Sequence, residues 1–115
     1  MKIDSALRDA QTQLRTAIHA AESFDILTRE IEICGRAATL FFIDGFVKDE
    51  IMEKLMEFFY SIGTPDTLHD AQSFARGGIP YVEVALEDDL SAITTQFFSG
   101  VSVLLVDGFD RAILI

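Results

Sequence analysis

The sequence predicts an α/β domain of α+β character: a mixed five-stranded sheet with three to four helices, two hairpins and one right-handed βαβ crossover. Three observations carry that prediction. Ala38-Thr39-Leu40-Phe41-Phe42-Ile43-Asp44-Gly45-Phe46 is an apolar run of buried-strand character that ends abruptly at an Asp-Gly pair. Ser102-Val103-Leu104-Leu105-Val106-Asp107-Gly108-Phe109 repeats the order of aliphatic run, Asp-Gly and Phe, so two strands leave one sheet in the same local way. Ahead of this second run, Ile79–Leu86 reads as a strand and the residues after it as a helix, giving the strand, helix, strand order of a crossover.

The elements follow in order. Asp4 or Ser5 can cap a first helix in which Leu7, Ala10, Leu14, Ala17, Ile18 and Ala21 fall three or four apart. Its stripe is narrow, which fits packing on the surface of its own domain better than docking on another subunit. From Ile26 the period becomes two: Leu27, Arg29, Ile31 and Ile33 point one way, and Thr28, Glu30 and Glu32 the other. Cys34-Gly35-Arg36 then turns the chain, and Ala37 to Ile43 runs back antiparallel, apolar on both faces and so central in the sheet. A helix begins near Lys48 or Asp49, with Ile51, Met52, Leu55, Met56, Phe58, Phe59 and Ile62 on one side, and stops at Gly63 and Thr64-Pro65. Leu68, Ala71 and Phe74 predict a short helix before Arg76-Gly77-Gly78. Pro80 is tolerable at the start of the third strand. Asp88 or Asp89 caps the next helix, whose Leu90, Ile93, Phe97 and also Phe98 are expected to face the sheet, with Ser99 and Gly100 as its stop. Val101 to Val106 is expected to lie parallel to the third strand, and Asp107-Gly108-Phe109-Asp110 turns the chain into a final strand, Arg111 to Ile115.

The 115 residues fit one domain able to bury a core without disulfides or metal. Nineteen acidic against nine basic residues leave a formal charge of −10, which repels nucleic-acid backbones and anionic headgroups. Hydrophobic residues make up 50% of the chain and mean hydropathy is +0.29, an apolar excess that points to surface meant for a partner or for a missing part of the chain. The single cysteine, Cys34, has no internal disulfide partner, which fits a reducing compartment. No run approaches the roughly 18 to 20 apolar residues of a membrane helix. Residues Ala112-Ile113-Leu114-Ile115 read as a strand with no cap or turn after it, so the chain is expected to be a subdomain, 1–115, of a longer protein.

Candidate chemistry is sparse. Asp44 and Asp107 could be gathered as carboxylates for acid-base work or a hard cation, but Asp bonds its own backbone and Gly accepts positive φ, so a turn explains both pairs better. Arg29 stands in register with the buried side; a guanidinium at the sheet rim paired with a carboxylate is favoured over an anion or partner contact, because no second basic residue shares its face. Arg76-Gly77-Gly78 could cradle an anion, yet a strand rather than a helix follows it. His19 and His69 have no ligand-spaced partner; Asp70, directly beside His69, points elsewhere on a helix. No nucleophile elbow, Cys-His pairing or dinucleotide fingerprint occurs. An enzyme is not expected, and no catalytic, cofactor or metal residue is assigned.

Phe24-Asp25-Ile26-Leu27-Thr28-Arg29-Glu30-Ile31, then Ala38 to Phe46, then Phe98-Ser99-Gly100 leading into Leu104-Leu105-Val106-Asp107-Gly108, resemble the N-terminal soluble region of the GerA family of spore germination proteins. The Phe-Asp-x-x-x-Arg-Glu-Ile and Phe-Ile-Asp-Gly-Phe-x-Lys-Asp-Glu forms look closer to the SpoVAF branch than to nutrient-receptor A subunits. The likeness spans nearly the whole chain from Phe24 onward. It implies a non-catalytic, cytosol-facing signalling or assembly domain of an integral membrane protein of the inner spore membrane. Membrane helices would follow it in the parent chain, and its partners would be sister subunits, in a process that releases ions and dipicolinate. The family supplies no catalytic residues, and the Asp-Gly motifs transfer as fold markers only. A small-molecule sensing domain of a germinant receptor is the alternative, and a homo-oligomer is compatible with either. A phospho-switch of the STAS kind would need a serine at a strand-to-helix turn, which the sequence does not offer.

Overall fold

A computed structural model of the chain describes residues 1–18, 26–33, 35–43, 57 and 84–115. Helix α1 covers Leu7–Ile18 and buries Ala10, Leu14 and Ile18, the three- and four-residue spacing that puts side chains on one face. That face packs within its own domain, against the sheet and the second helix, as expected of a surface helix. Its first turn begins as an Asx turn, with the Ala6 N–H donating to Asp4 Oδ1 at 2.9 Å.

Strands β1 (Ile26–Ile33) and β2 (Arg36–Ile43) form the first hairpin. Ile33 pairs with Arg36, so the hairpin closes tightly. Gly35 has φ +82°, the positive region such a turn demands. β2 lies between β1 and β4 and is central, as its two apolar faces predict. In β1 the period-two reading holds on the Ile31 and Ile33 side, which is buried, while Glu30 and Glu32 face solvent.

Strand β3 (Ala85–Glu87) precedes helix α2 (Leu90–Phe98). Asp89 is the N-cap, its Oδ2 accepting from the Ala92 N–H at 3.0 Å. The helix ends in a Schellman arrangement around Gly100, whose φ is +109°: the Gly100 N–H donates to Phe97 O at 3.0 Å and the Val101 N–H to Gln96 O at 3.2 Å. Ile93 and Phe97 are buried. Phe98, expected to face the sheet, is instead 52% exposed. Leu90, Ile93 and Phe97 fix the buried stripe, and one more residue turns the side chain by roughly 100° away from it.

Strands β4 (Val103–Val106) and β5 (Ala112–Leu114) are buried along their whole length and form the second hairpin. The five strands run in the order β1-β2-β4-β5-β3, and every pairing is antiparallel. The expected strand count and both hairpins are present. The mixed sheet and a crossover between neighbouring strands are not: β4 runs parallel to β3, as expected of Val101 to Val106, because both pair antiparallel with β5, but β5 stands between them and the two are not hydrogen-bonded to each other. β2 already fills one edge of β4, so the hairpin partner β5 takes the other and sets β3 one position further out. Two helices are described. The helices expected over 48–62 and 66–75 lie outside the described residues, apart from Glu57, which is helical and exposed as its place on the polar side of that stretch requires.

The sheet carries a core on each face. Phe41, Val103, Leu105, Ala112 and Leu114 meet Ala10, Leu14, Ile18, Ile93 and Phe97 of the two helices. On the other face Ile31, Ile33, Ala38, Leu40, Leu104, Val106, Phe109 and Ile113 are buried together, and no residue of α1 or α2 belongs to that cluster. The N-terminal residues run beside the start of α2: the Ile3 N–H donates to Asp88 O at 2.7 Å and the Leu90 N–H to Met1 O at 2.8 Å.

Candidate functional site

The second Asp-Gly pair stands where three elements meet. The Asp107 N–H donates to Ala37 O at 2.9 Å, which carries the β2–β4 ladder one residue past the strand. Its carboxylate Oδ1 accepts from the Leu7 N–H at 3.0 Å and so satisfies one of the free donors of the first turn of α1. The Gly108 N–H donates to Ser5 O at 2.7 Å, and the Phe109 N–H to Val106 O at 3.1 Å. Arg36 closes the arrangement from the β1–β2 turn: its Nη1 donates to Asp107 O at 3.1 Å, and its guanidinium carbon lies 5.5 Å from the centroid of the Phe109 ring.

Glycine is favoured at 108 on two counts. Its φ is +91°, and a Cβ there would come within 2.9 Å of Arg36 Nη1. The turn reading of this pair therefore stands, with an addition the sequence did not show: the Asp107 side chain caps a helix 100 residues earlier. Asp44 and Gly45, the other copy, lie outside the described residues.

Beside this turn opens a cleft of about 640 Å³ lined by Leu7, Gln11, Glu30, Glu32, Gly35 and Thr39 among others. α1 forms one wall, and the exposed face of β1 forms the other. Thr39 is the polar interruption in the buried face of β2 and is fully buried; its Oγ1 accepts a hydrogen bond from Gln11 Nε2, which ties α1 to the central strand. Glu30 and Glu32 give the cleft a negative rim, suited to hydroxyl, amine or cationic groups rather than anions. A single hydroxyl inside an otherwise aliphatic run was the sequence signal for this contact, but its partner on a distant helix was not readable. A second, more apolar cleft of about 420 Å³ lies between Val84, Leu86, Gln96, Val101, Leu114 and Ile115.

The other residues weighed in the sequence do not converge on either place. Arg29 is exposed on β1, so its rim position holds, but among the described residues no carboxylate pairs with it. His19, Cys34, His69, Asp70 and Arg76 lie outside the described residues. Among the described residues no three His, Cys, Asp or Glu side chains cluster as metal ligands, and no helix is long and apolar enough to cross a membrane. Among the described residues Asp89 is the carboxyl with a displaced titration: the Ala92 N–H it accepts holds it below its ordinary range, opposed by desolvation and helped by the nearby terminal ammonium at 3.4 Å.

A family model described as Bacillus/Clostridium GerA spore germination protein matches residues 12–115. A comparison with curated proteins found no match. Among solved structures, the chain is similar to the N-terminal domain of the A subunit of the Bacillus megaterium spore germinant receptor GerK3, with a TM-score of 0.77 at 19% identity. The likeness covers 100% of this chain and 47% of that one, so the chain spans about half the length of the structure it matches. At that identity the comparison speaks to the fold.

Proposed function

The chain belongs to the GerA family of spore germination proteins, and from that premise we propose that it is a non-catalytic signalling and assembly domain of a germination membrane protein. It faces the cytosol at the inner spore membrane, contacts sister subunits, and transmits their state during germination and the accompanying release of ions or dipicolinate. Within the family the Phe-Asp-x-x-x-Arg-Glu-Ile and Phe-Ile-Asp-Gly-Phe forms favour the SpoVAF branch. The observation that carries the reading is the use of the polar groups at the Asp-Gly turn. The Asp107 carboxylate caps α1, and the Arg36 guanidinium is held between Asp107 O and the Phe109 ring. These groups hold elements together, and none is left poised beside a nucleophile or base.

The test is germination itself. In an endospore-former that carries this gene, deleting it should slow or abolish dipicolinate release after a germinant is added, and complementation should restore it. Release at the parental rate from the deletion strain would overturn the role in germination.

A second reading has its own observation. The cleft between α1 and β1, with Gln11, Thr39, Glu30 and Glu32 on its walls, has the volume of a small-ligand site, and the similar structure is part of a germinant receptor A subunit. In this reading the domain senses a germinant directly. A thermal-shift screen against amino acids, sugars and dipicolinate would show a concentration-dependent rise in midpoint for the true ligand. Silence across the screen would leave the assembly reading alone.

A further inference from the structure

Strand β1 is an outer edge of the sheet, and it is the longer of the two edges at eight residues against three for β3. Leu27, Thr28, Arg29, Glu30 and Glu32 are all exposed, so side chains on both of its faces meet solvent. The hydrogen-bond phase of the sheet fixes which backbone groups are unused. Because the Asp107 N–H donates to Ala37 O, the backbone groups of Ala37 face β4, and those of Arg36, Ala38, Leu40 and Phe42 face β1. Their register partners are Ile33, Ile31, Arg29 and Leu27. The N–H and C=O groups of Thr28, Glu30 and Glu32 therefore point off the edge, and among the described residues nothing pairs with them.

We propose that this edge accepts an antiparallel strand from a partner protein, and that the added segment carries two basic residues separated by one. Main-chain bonding to Thr28, Glu30 and Glu32 supplies the ladder, as in strand addition generally. In an antiparallel pair, directly opposed residues share a face. The residues opposite Glu30 and Glu32 thus stand beside those carboxylates on the α1 side, where the cleft rim is negative, and lysine or arginine fits both places. Between them, the residue opposite Ile31 lies on the apolar face and is aliphatic; the one opposite Arg29 is acidic. Read along the incoming strand, the pattern is basic, aliphatic, basic, acidic, then polar opposite Thr28.

A second copy of this chain does not fit. The two longest two-fold pairings of β1 with itself that keep faces matched centre on Arg29 and on Glu30, and both put like charges directly opposite; centred on Thr28 or Ile31 the overlap shrinks to about five residues, too short a ladder for a stable pair. The formal charge of −10 on each copy adds to that repulsion. The same charges that keep the edge from pairing with itself select a partner of opposite sign. This inference is carried by the strand edge alone, so it stands or falls separately from the role in germination.

The test uses the intact chain and a fluorescein-labelled peptide containing lysine–valine–lysine–glutamate–threonine, read by fluorescence anisotropy. Binding is expected, weakening as salt rises. The double substitution Glu30→Lys with Glu32→Lys, at two exposed side chains, should weaken it by roughly tenfold or more and should favour a peptide with glutamate at both lysine positions. A third peptide, methylated on the backbone nitrogens that face the edge, leaves the protein untouched and should not bind. Absence of binding by the first peptide overturns the proposal, as does undiminished binding of the methylated peptide, which would mean charge attraction without an added strand. A dimer in sedimentation that dissociates on the double substitution would assign the edge to a second copy and would overturn it as well.

Discussion

Replacing Gly108 with alanine tests the junction at which three elements are tied. The new Cβ must sit at φ +91°, where an L-residue costs roughly 1–2 kcal/mol relative to glycine. It also comes within 2.9 Å of Arg36 Nη1. The guanidinium is the far end of a flexible side chain and can swing away, so the clash itself is relieved. What is lost with that movement is the Nη1 bond to Asp107 O and the stacking on Phe109, together about 1 kcal/mol at a half-buried position. Gly108→Ala should therefore cost about 2–3 kcal/mol. The split between strain and clash is separable by a double-mutant cycle, because in an Arg36→Ala background the clash partner is gone and only the backbone term of about 1–2 kcal/mol should remain. Urea unfolding of the four proteins at constant slope gives all the differences. Equal costs of Gly108→Ala in the two backgrounds would refute the coupling to Arg36, and a cost below about 0.5 kcal/mol in the wild type would refute the strain argument too.

Further outcomes are expected at other elements. Phe97→Ala empties a fully buried position and should cost about 3–5 kcal/mol, whereas Phe98→Ala, at a half-exposed ring in edge contact with Phe97, should cost only about 1 kcal/mol, both by chemical denaturation. Asp107→Ala removes an acceptor from the first turn of α1 and should cost about 1 kcal/mol, while Asp107→Asn, which keeps an oxygen there, should recover most of it. Asp89, whose carboxyl is held below its ordinary range by the Ala92 N–H, stabilises the fold at any pH above the unfolded-state value. That contribution disappears as pH falls through the folded-state value, so the stability gap between wild type and Asp89→Ala should close in acid unfolding titrations and stay constant near neutrality.

Much of the architecture is legible in the residues because it is local. The alternation at Leu27, Thr28, Arg29, Glu30, Ile31 and Glu32 fixes a strand and its two faces, and Asp89 and Gly100 mark the ends of a helix by side-chain and backbone chemistry within a few residues. Strand order is different in kind. Nothing in Val103–Val106 or Ala112–Leu114 says which free edge β3 will choose; that depends on β2 already occupying one side of β4. Phe97 and Phe98 both satisfy a loose apolar count, and only the phase set by Leu90 and Ile93 separates the buried ring from the exposed one. The site shows the same division. Asp107-Gly108-Phe109 was visible as a turn, since a turn is made by its own residues. Its contacts with Leu7 and Arg36, and the bond from Gln11 to Thr39, join positions far apart in the chain and emerge only on folding.

The claim that this domain works by contact with other subunits is tested most directly by crosslinking mass spectrometry of the intact parent protein in isolated spore inner membranes. Crosslinks from residues of this domain to a second germination subunit, lost when germination is complete or rearranged by a germinant, are the predicted result. A membrane fraction in which the domain crosslinks to no other germination protein, while its own internal crosslinks form normally, would contradict it.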